Sequence, residues 1–424
     1  MKKRFWSLIL TVVMVAACCV SLCACGSGDG SSKEGELTIW VGDGLEDMFT
    51  EMAKDYTKET GIKVHVFTYT GLTAADKLAL DGPFGKGGDI YVQGGGGDLA
   101  GAVEQGLFVK LDKNEFELET KFIGGAQTLM QYQGELYGVP LGIETTALMY
   151  NKDIIPELPD TWEEICAFAR SYNHFGSDIR TKDQKFGLLI DYTNPYYTWC
   201  FNEAFGGYIF GQDENGAYDC TDIGIDNEGS IKACAFIKDM IDTKTIPTDL
   251  ASTLMQSKFI SGKAAIILDG SWDLSNFREA GINLGVAAFP EISLGDGTFG
   301  QPVTFCGGYG LAISSFSLNI EESKNFLKFA TRDKYVLAYY NTVGRIPATV
   351  SASQTPEVQN DEALKGFMDQ LAYSYPQPAI NELNAIWDPL VASTTAIYVN
   401  GEDIAEVMHK VKADIEANIE LLHQ

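Results

Sequence analysis

The sequence predicts an α/β fold of two lobes that are joined by a hinge and followed by a helical C-terminal segment. Two lobes are expected because 424 residues exceed what a single ordinary core accommodates. The content of 45% hydrophobic and 21% charged residues is that of a soluble globular protein. Short apolar runs alternate with patterns of helical spacing, which favours parallel sheets with helices on their faces.

The N-terminal residues have the pattern of a bacterial lipoprotein signal. A basic segment, Lys2–Arg4, precedes an apolar segment, Phe5–Val20, and the sequence Leu22–Cys25 then resembles a lipobox. In a lipobox the cysteine becomes the lipid-bearing first residue of the mature protein.

We predict that residues 1–24 are removed and that Cys25 carries the lipid, because a flexible tether rich in glycine and serine, predicted over residues 25–35, begins there. Cys18 also follows a Val-Ala-Ala run and is the alternative. A cleaved secretory signal or a transmembrane anchor is the competing interpretation, but the apolar run is shorter than the ~20 residues that a span needs. Acylation would hold the protein at the outer face of a bacterial cell membrane.

The chain is strongly acidic, with a formal net charge of −27. Removal of Lys2, Lys3 and Arg4 with the signal lowers this charge by three, to −30. Such a body is repelled by nucleic acid and by anionic lipid. We therefore expect no nucleic-acid partner, and contact with the membrane through the lipid anchor only.

The cysteines of the body predict free thiols rather than a disulfide framework or a metal site. They are widely spaced, odd in number and without a CxxC pair. We expect the following residues to be small buried side chains: Cys166, Cys200, Cys220, Cys234 and Cys306. The four histidines also lack metal-ligand spacing, so neither a metal nor a cofactor is predicted.

The body opens with a βαβ unit. Glu36–Val41 is a predicted strand, Leu45–Thr60 a helix that Gly61 terminates, and Lys63–Tyr69 a second strand. Asp43 falls in the loop at the carboxyl end of the first strand, where open α/β sheets bind their ligands. It is therefore a candidate binding residue.

A glycine loop follows the third predicted strand, Asp89–Gln93. Gly94–Gly97 precede Asp98, which begins a predicted helix. The glycines satisfy a GxGxxA dinucleotide pattern that ends at Ala100, with Asp112 as the ribose acid, but the pattern lies in the third strand unit rather than the first. We favour a backbone-lined loop on a binding cleft, with Asp98 as a candidate ligand residue.

The stretch Leu136–Asp153 places a lone acid between two apolar extended segments. Glu144 is preceded by Gly142 and followed by Thr145 and Thr146. A charge between buried strands is costly unless it is hydrogen-bonded. Glu144 is therefore either a satisfied structural acid or a ligand-facing acid at a chain crossing, and this motif alone favours neither.

The run Tyr137–Asp153 and the following Leu158–Glu164 closely resemble the first crossover of maltose-binding-protein-like extracellular solute-binding proteins. The likeness extends from about Gly35 to the C-terminus. It implies a two-lobe, type II periplasmic-binding-protein-like fold in which Glu144 hydrogen-bonds sugar hydroxyls. Hinge crossings are then expected at residues 143–146, 304–306 and 353–355. The N-terminal lobe would comprise residues 36–142 and 307–352, and the C-terminal lobe residues 147–303 and 356–424.

The resemblance also places aromatic side chains of the C-terminal lobe in the cleft. Asn194–Tyr197 is similar to the family's Glu-Pro-Tyr sugar contact, with asparagine in place of the acid. Trp272 follows a predicted strand at the position of a stacking tryptophan, and Tyr375 and Trp387 in the C-terminal segment are further candidates. The family often has a Trp and an Asp-Arg pair at the glycine loop, and this chain has neither the Trp nor the Arg.

Two other functions fit parts of the sequence. Asp43 and Glu144, facing each other across an aromatic cleft, would equip a glycosidase, but no nucleophile elbow, HExxH or P-loop motif occurs. The candidate cleft segments contain no Arg or Lys, which argues against an anionic ligand. Carboxylates, amides and flat rings suit a neutral polyol, and a polyamine or another cation is the chemically distinct alternative.

The sequence therefore predicts a monomeric, non-enzymatic lipoprotein that captures a neutral, maltodextrin-like oligosaccharide and delivers it to the permease of an ABC importer. The predicted ligand-binding residues are Asp43, Asp98, Glu144, Asn194, Tyr196, Tyr197, Trp272, Tyr375 and Trp387.

The substitution Cys25→Ser removes the predicted acylation site. We expect this variant to leave the membrane fraction for the soluble fraction, because a retained acyl anchor is then absent. Fractionation with immunoblotting measures the change, and Cys18→Ser, the control, should stay membrane-bound. Unchanged membrane association of Cys25→Ser would contradict lipid anchoring at this residue.

Overall fold

The computed structural model describes residues 30–71, 73–175, 183–214, 216–248 and 252–423, and they form two α/β lobes. The strands are β1 (Glu36–Val41), β2 (Lys63–Thr68), β3 (Ile90–Gly94), β4 (Gln131–Tyr132), β5 (Glu135–Leu136), β6 (Gly138–Glu144), β7 (Thr146–Asn151), β8 (Phe186–Leu189), β9 (Phe210–Gln212), β10 (Tyr218–Ile223), β11 (Ala264–Gly270), β12 (Leu284–Ala287), β13 (Ile292–Ser293), β14 (Phe299–Gly300), β15 (Thr304–Ile313), β16 (Ile346–Pro347) and β17 (Ser374–Pro376).

Helices cover the sheets, and none of those in the described part of the chain is long and apolar enough to cross a membrane. The α-helices are α1 (Glu46–Thr60), α2 (Ala74–Asp81), α3 (Gly97–Glu104), α4 (Leu118–Lys121), α5 (Gly124–Gln127), α6 (Trp162–Tyr172), α7 (Pro195–Ala204), α8 (Glu228–Asp242), α9 (Ser252–Ile260), α10 (Leu274–Glu279), α11 (Ile320–Ala330), α12 (Asp333–Val343), α13 (Val350–Ser353), α14 (Pro356–Gln359), α15 (Glu362–Leu371), α16 (Trp387–Thr394) and α17 (Ile404–Leu422). Short 3₁₀ turns lie at Gly82–Phe84, Ser271–Asp273 and Asn381–Ala385, and a π-helical turn lies at Thr395–Val399.

The first lobe is built on a sheet with the strand order β16-β6-β15-β3-β1-β2. β1 pairs in parallel with both β2 and β3, as the predicted βαβ opening requires. β15 runs antiparallel between β3 and β6, so a strand from the second half of the chain closes this sheet. Gly61 ends α1 in the left-handed conformation (φ 80°), which confirms its predicted role as a terminator.

The second lobe is built on a smaller sheet with the strand order β12-β7-β11-β8. α15 packs against β12 and β7, and α6 packs against β8. Trp162, which is fully buried at the start of α6, contacts the rings of Phe201, Phe236 and Phe289. This aromatic cluster anchors the helices of the second lobe.

Two chain crossings between the lobes lie side by side. β6 belongs to the large sheet and β7 to the small one, and only Thr145 separates them. The buried Thr145 hydroxyl is 2.6 Å from the Thr304 hydroxyl and donates to the Phe305 carbonyl oxygen at 2.9 Å. The start of β15 is thereby fastened to the end of β6. Residues 143–146 and 304–306, predicted as crossings, both lie at this junction.

A third connection runs through residues 353–361, between α13 at the first lobe and α15 at the second. The chain then returns to the junction as β17, which pairs with Thr304–Cys306 of β15. Its continuation, Asn381–Ala385, packs against α3 of the first lobe. We call residues 374–385 the strap; the sequence did not predict it, since these residues were assigned to the second lobe.

Proline interrupts regular structure at two places in the second half of the chain. Residues 381–399 are divided into a 3₁₀ turn, α16 and a π-helical turn. Pro389 lies in the first turn of α16, where its ring would collide with the carbonyl of residue 385 in a continuous helix. Pro302, between β14 and β15, has no N–H for a sheet ladder.

The predicted tether is shorter than expected. Cys25 and the signal lie outside the described residues, but Gly30 and Ser31 are already buried on the first lobe. The Trp40 indole donates to the Gly30 carbonyl oxygen at 2.9 Å, and the Ser32 N–H donates to Gly87 at 2.8 Å. A freely moving segment over all of residues 25–35 is therefore wrong.

Among the five body cysteines, which are all free, Cys166, Cys200 and Cys306 are buried as predicted, whereas Cys220 and Cys234 are partly exposed.

Candidate ligand-binding site

A cavity of about 390 Å³ lies between the lobes and brings together four of the predicted ligand residues. The first lobe contributes Gly95, Gly97 and Asp98, and the second contributes Asn194, Pro195 and Tyr196. The strap and α16 complete the lining with Gln377, Leu383, Asn384, Trp387 and Val391. Its size is within the range of small-molecule sites.

Next to the cavity, the Tyr196 hydroxyl and the Glu144 carboxylate both lie close to Gly307. A Cβ atom on Gly307 would lie 3.3 Å from the Tyr196 hydroxyl oxygen and 3.6 Å from Glu144 Oε1. The Tyr196 hydroxyl is buried, and the described residues provide it with no hydrogen-bond partner. Burial, together with the Glu144 charge, raises the pKa of Tyr196, so the hydroxyl keeps its proton and is available to donate.

Glu144 is paired with Arg345, which precedes β16. Arg345 Nε donates to Glu144 Oε2, and the two side chains are only 15% and 13% exposed. The guanidinium also lies 4.4 Å from the Tyr309 ring centroid and donates to the Tyr339 hydroxyl at 3.4 Å. Burial disfavours its charge, but Glu144 and the two tyrosines outweigh burial and hold the Arg345 pKa above its ordinary value.

Aromatic rings form a continuous wall on the second-lobe side. Tyr196 contacts Trp272 at 5.9 Å and Phe305 at 5.6 Å between ring centroids. Phe305 in turn contacts Trp387 at 6.3 Å and is stacked on Trp199 at 5.8 Å. Trp272 and Trp387 are partly exposed, and such ring faces cover the apolar C–H surfaces of a ligand.

Tyr197 lies behind this wall rather than on its surface. It is 5% exposed, contacts Trp272 edge-on, and its hydroxyl donates to Asp269 Oδ1 at 3.2 Å. The prediction that Tyr197 faces the ligand is therefore not supported, and we assign it the role of positioning Trp272. The alternation of buried and exposed positions at the start of α7 separates it from Tyr196.

Two carboxyl groups share the space beneath Trp272. The Gln256 amide donates to Asp273 Oδ2 at 2.6 Å and to Asp269 Oδ2 at 3.3 Å. Burial, and for Asp269 also the neighbouring carboxylate, raises the pKa of both acids above the ordinary range for aspartate. This hydrogen-bonded layer supports the loop that carries Trp272.

The first-lobe side of the cavity is formed by the glycine loop. A Cβ on Gly95 would collide with Leu129, and one on Gly96 (φ 64°) would lie 3.0 Å from the Gln377 side chain. The Gly97 carbonyl accepts from the Asn384 amide at 3.2 Å. The strap therefore packs directly against the glycine loop.

Asp98 and Asn194 both line the cavity, but their side chains differ in availability. Asp98 is solvent-accessible within the cleft, and desolvation by the surrounding walls raises its pKa. Asn194 Oδ1 accepts from the Tyr196 N–H at 3.1 Å and caps α7, which leaves its amide N–H groups for a ligand.

Five of the predicted ligand residues do not line this cavity: Asp43, Glu144, Tyr197, Trp272 and Tyr375. Asp43 is exposed on the loop after β1 and accepts from the Thr70 hydroxyl at 3.0 Å. The Tyr375 hydroxyl donates to Glu203 Oε1 at 2.7 Å and accepts from the Trp199 indole at 2.8 Å. The prediction that Tyr375 belongs to the same cavity is thus wrong, because the pleat of β17 turns it to the other side of the strap.

Tyr375 instead borders a larger groove of about 780 Å³, together with Glu203, Tyr208 and Tyr218. Of the predicted ligand residues, this groove contains Tyr375 alone. Four predicted ligand residues thus line the smaller cavity, and one lines the larger groove.

Sequence reasoning missed three residues of the site: Tyr309, Arg345 and Gln377. Arg345 lies in the Val343–Pro347 run, which resembles a chain crossing, and Tyr309 lies in a glycine-rich strand. The sequence offered one signal for Arg345. Glu144 had no predicted partner, and Arg345 is a basic residue in a run that resembles another crossing. No local pattern pointed to Gln377.

Comparison with known proteins places the chain among binding proteins. A family model described as bacterial extracellular solute-binding protein matches residues 51–366. A galactooligosaccharide-binding protein of Bacillus subtilis (strain 168) is 29% identical over 97% of both chains. A maltooligosaccharide ABC transporter solute-binding lipoprotein of Streptococcus pneumoniae (strain R6) is 31% identical over 92% of both chains. The crystal structure of MalX from Streptococcus pneumoniae in complex with maltopentaose superposes with a TM-score of 0.78 at 29% identity, covering 90% of this chain and 100% of that one.

Arg345→Ala should lower the free energy of unfolding by about 3–5 kcal/mol, because it leaves Glu144 as an unpaired, largely buried charge. Denaturation in urea measures this change. Arg332→Ala is the matched control: Arg332 pairs with Glu59 at 2.8 Å, but both side chains are about half exposed (52% and 51%). We expect the control to cost within about 1 kcal/mol. Equal costs for the two variants would contradict a structural role of the buried pair.

Proposed function

Because the chain belongs to the family of bacterial extracellular solute-binding proteins, we propose that it binds a neutral, maltodextrin-like oligosaccharide between its lobes and delivers it to the permease of an ABC importer. Relatives named for maltooligosaccharides and galactooligosaccharides support a sugar as the ligand class.

The observation that carries this proposal is the buried Tyr196 hydroxyl near Glu144, for which the described residues offer no hydrogen-bond partner. A buried hydroxyl without a partner is unusual, and a sugar hydroxyl could accept from Tyr196 while donating to the free oxygen of Glu144. Trp272 and Trp387 flank this point and offer ring faces to a pyranose. Hydroxyl partners between aromatic faces are what a neutral polyol requires.

The position of Arg345 favours a neutral ligand over a polyamine. The candidate cleft segments contain no Arg or Lys, but Arg345, which lies outside those segments, contacts Glu144 directly. The Glu144 carboxylate is thereby already neutralised by an internal cation. A polyamine would have to displace that pair or rely on Asp98 alone, and both arrangements weaken its attraction.

A glycosidase is the less well supported alternative. Hydrolysis needs two carboxyl groups on opposite sides of the scissile bond, about 5–9.5 Å apart. Glu144 is already paired with Arg345, which leaves Asp43 as the one free acid of the predicted pair. We therefore propose that the protein binds its sugar without changing it.

Closure of the lobes would be the transport signal. Asp98 belongs to the first lobe and Tyr196 to the second, while Glu144 lies at the crossing between them. A ligand that contacts all three stabilises the closed form by the contacts it gains there. The permease would then distinguish loaded from empty receptor by shape. Acylation of Cys25 would keep the monomeric receptor near its importer, in line with relatives that are named lipoproteins.

Titration calorimetry should show binding of maltotriose or maltotetraose to the purified protein. Chromatography of the same mixture after several hours should recover the sugar uncleaved. Spermidine serves as the charge control and should not bind. Cleavage of the sugar would show that the protein is a glycosidase, and binding of spermidine alone would support the polyamine alternative.

Trp272→Ala should weaken sugar binding by roughly ten- to hundredfold, about 1–3 kcal/mol, by analogy with base stacking on aromatic side chains. Trp272→Phe is the control that keeps a ring.

Asp43→Ala should reduce both the sugar affinity and the compaction that small-angle scattering detects on adding sugar, because Asp43 would reach the ligand only after closure. Lower melting temperatures with unchanged affinity would show that both residues are structural.

A further inference from the structure

An exposed apolar patch lies on the first lobe, at the end of the sheet opposite the cleft. It consists of Leu80, Phe84, Phe316 and Leu318, whose exposed fractions are 61%, 79%, 36% and 65%. Eleven large hydrophobic side chains are exposed in the described part of the chain, and four of them are in this patch. Clustered apolar exposure of this kind marks an interaction surface.

Two loops build the patch. The first contains α2 and the 3₁₀ turn Gly82–Phe84, and the second follows β15. Gly82 carries the first loop directly against the Phe316 ring, since a Cβ at this position would collide with it. Pro83 restricts the backbone beside Phe84, so the most exposed ring projects from a stiff turn.

A buried carboxylate fixes the second loop to the N-terminal segment. Asp89, which is fully buried, accepts from the Ser32 hydroxyl at 2.5 Å, the Ser317 hydroxyl at 2.6 Å and the Asn319 amide at 3.1 Å. The Leu318 N–H donates in turn to the Ser32 hydroxyl at 3.0 Å. Hydrogen bonds therefore fix the second loop of the patch, and the N-terminal segment is bound at the edge of the patch.

The length of chain before this point restricts where the lipid can be. The described chain starts at Gly30, and Gly26–Asp29 separate it from Cys25. Five residue steps span at most about 18 Å. An acylated Cys25 would thus keep Gly30, and with it the edge of the patch at which residues 30–32 are bound, near the membrane surface.

We propose that Leu80, Phe84, Phe316 and Leu318 dock into the interfacial region of the lipid bilayer. The proposal rests on acylation of Cys25 and goes beyond the expected contact through the lipid alone. A short tether gives the patch a high effective concentration at the bilayer, so a modest apolar surface is enough to engage it. Because the protein is strongly acidic, a zwitterionic surface suits it better than an anionic one.

Docking in this way fixes the orientation of the cleft. The patch lies beside the amino ends of β1 and β3, whereas the cleft lies beyond their carboxyl ends. A strand of six residues separates these ends by about 20 Å. The cleft of a docked receptor consequently lies on the far side of the first lobe from the membrane, and delivery requires the patch to leave the bilayer.

Photo-crosslinking of the full-length, acylated protein in phosphatidylcholine vesicles tests the proposal. A benzophenone analogue of phenylalanine replaces Phe84 in one sample and Phe299 in the control. Phe299 is 60% exposed and lies on β14, outside the patch. We expect lipid adducts at position 84 at least tenfold more often than at position 299, as measured by mass spectrometry.

Equal lipid labelling at the two positions would overturn the proposal, and so would adducts at position 84 with a second copy of the chain. Phe84→Asp combined with Leu318→Asp should reduce the mean distance between a label on the second lobe and the bilayer, because an undocked receptor can tilt on its tether, and sugar affinity should not change. Mass spectrometry of the N-terminal peptide tests acylation separately, and calorimetry tests sugar binding. A failure of docking is thereby distinguished from a failure of the proposed function.

Discussion

The ion pair between Glu144 and Arg345 holds the junction of the two lobes together. Glu144 ends β6, Arg345 precedes β16, and the guanidinium rests on Tyr309 of β15. Opposite charges in a poorly solvated site attract strongly, and either one alone would be costly. The pair therefore connects three segments of the first lobe at the point where the chain crosses. It makes this junction rigid.

The two walls of the cleft differ in composition. On the first-lobe side, glycines allow Leu129 and the strap to approach the backbone closely, so the wall is mostly main chain with Asp98. On the second-lobe side, rings stack on Phe305 and are supported by the hydrogen-bonded layer beneath Trp272. One side thus offers directional polar groups and the other flat apolar surface, and a ligand has to satisfy both.

The sequence predicted local features well, because they depend on neighbouring residues. The βαβ opening, α6 and the glycine cap at Gly61 follow from periodicity and from turn chemistry. Contacts between distant segments were not predictable in the same way. Arg345 lies 201 residues from Glu144, and the strap returns to the first lobe after the chain has left it. Tyr197 and Tyr375 were misplaced because one step along a helix, or the pleat of one short strand, decides which surface a ring faces.

The attachment of residues 30–32 to Asp89 determines which lobe stays still. These residues are hydrogen-bonded to the first lobe, so whatever holds the N-terminal end also holds that lobe. The proposed closure would then be a rotation of the second lobe in a frame that is fixed on the first. In that frame Trp272 would approach a stationary Asp98, and a fluorophore on the second lobe would report the whole amplitude of the motion.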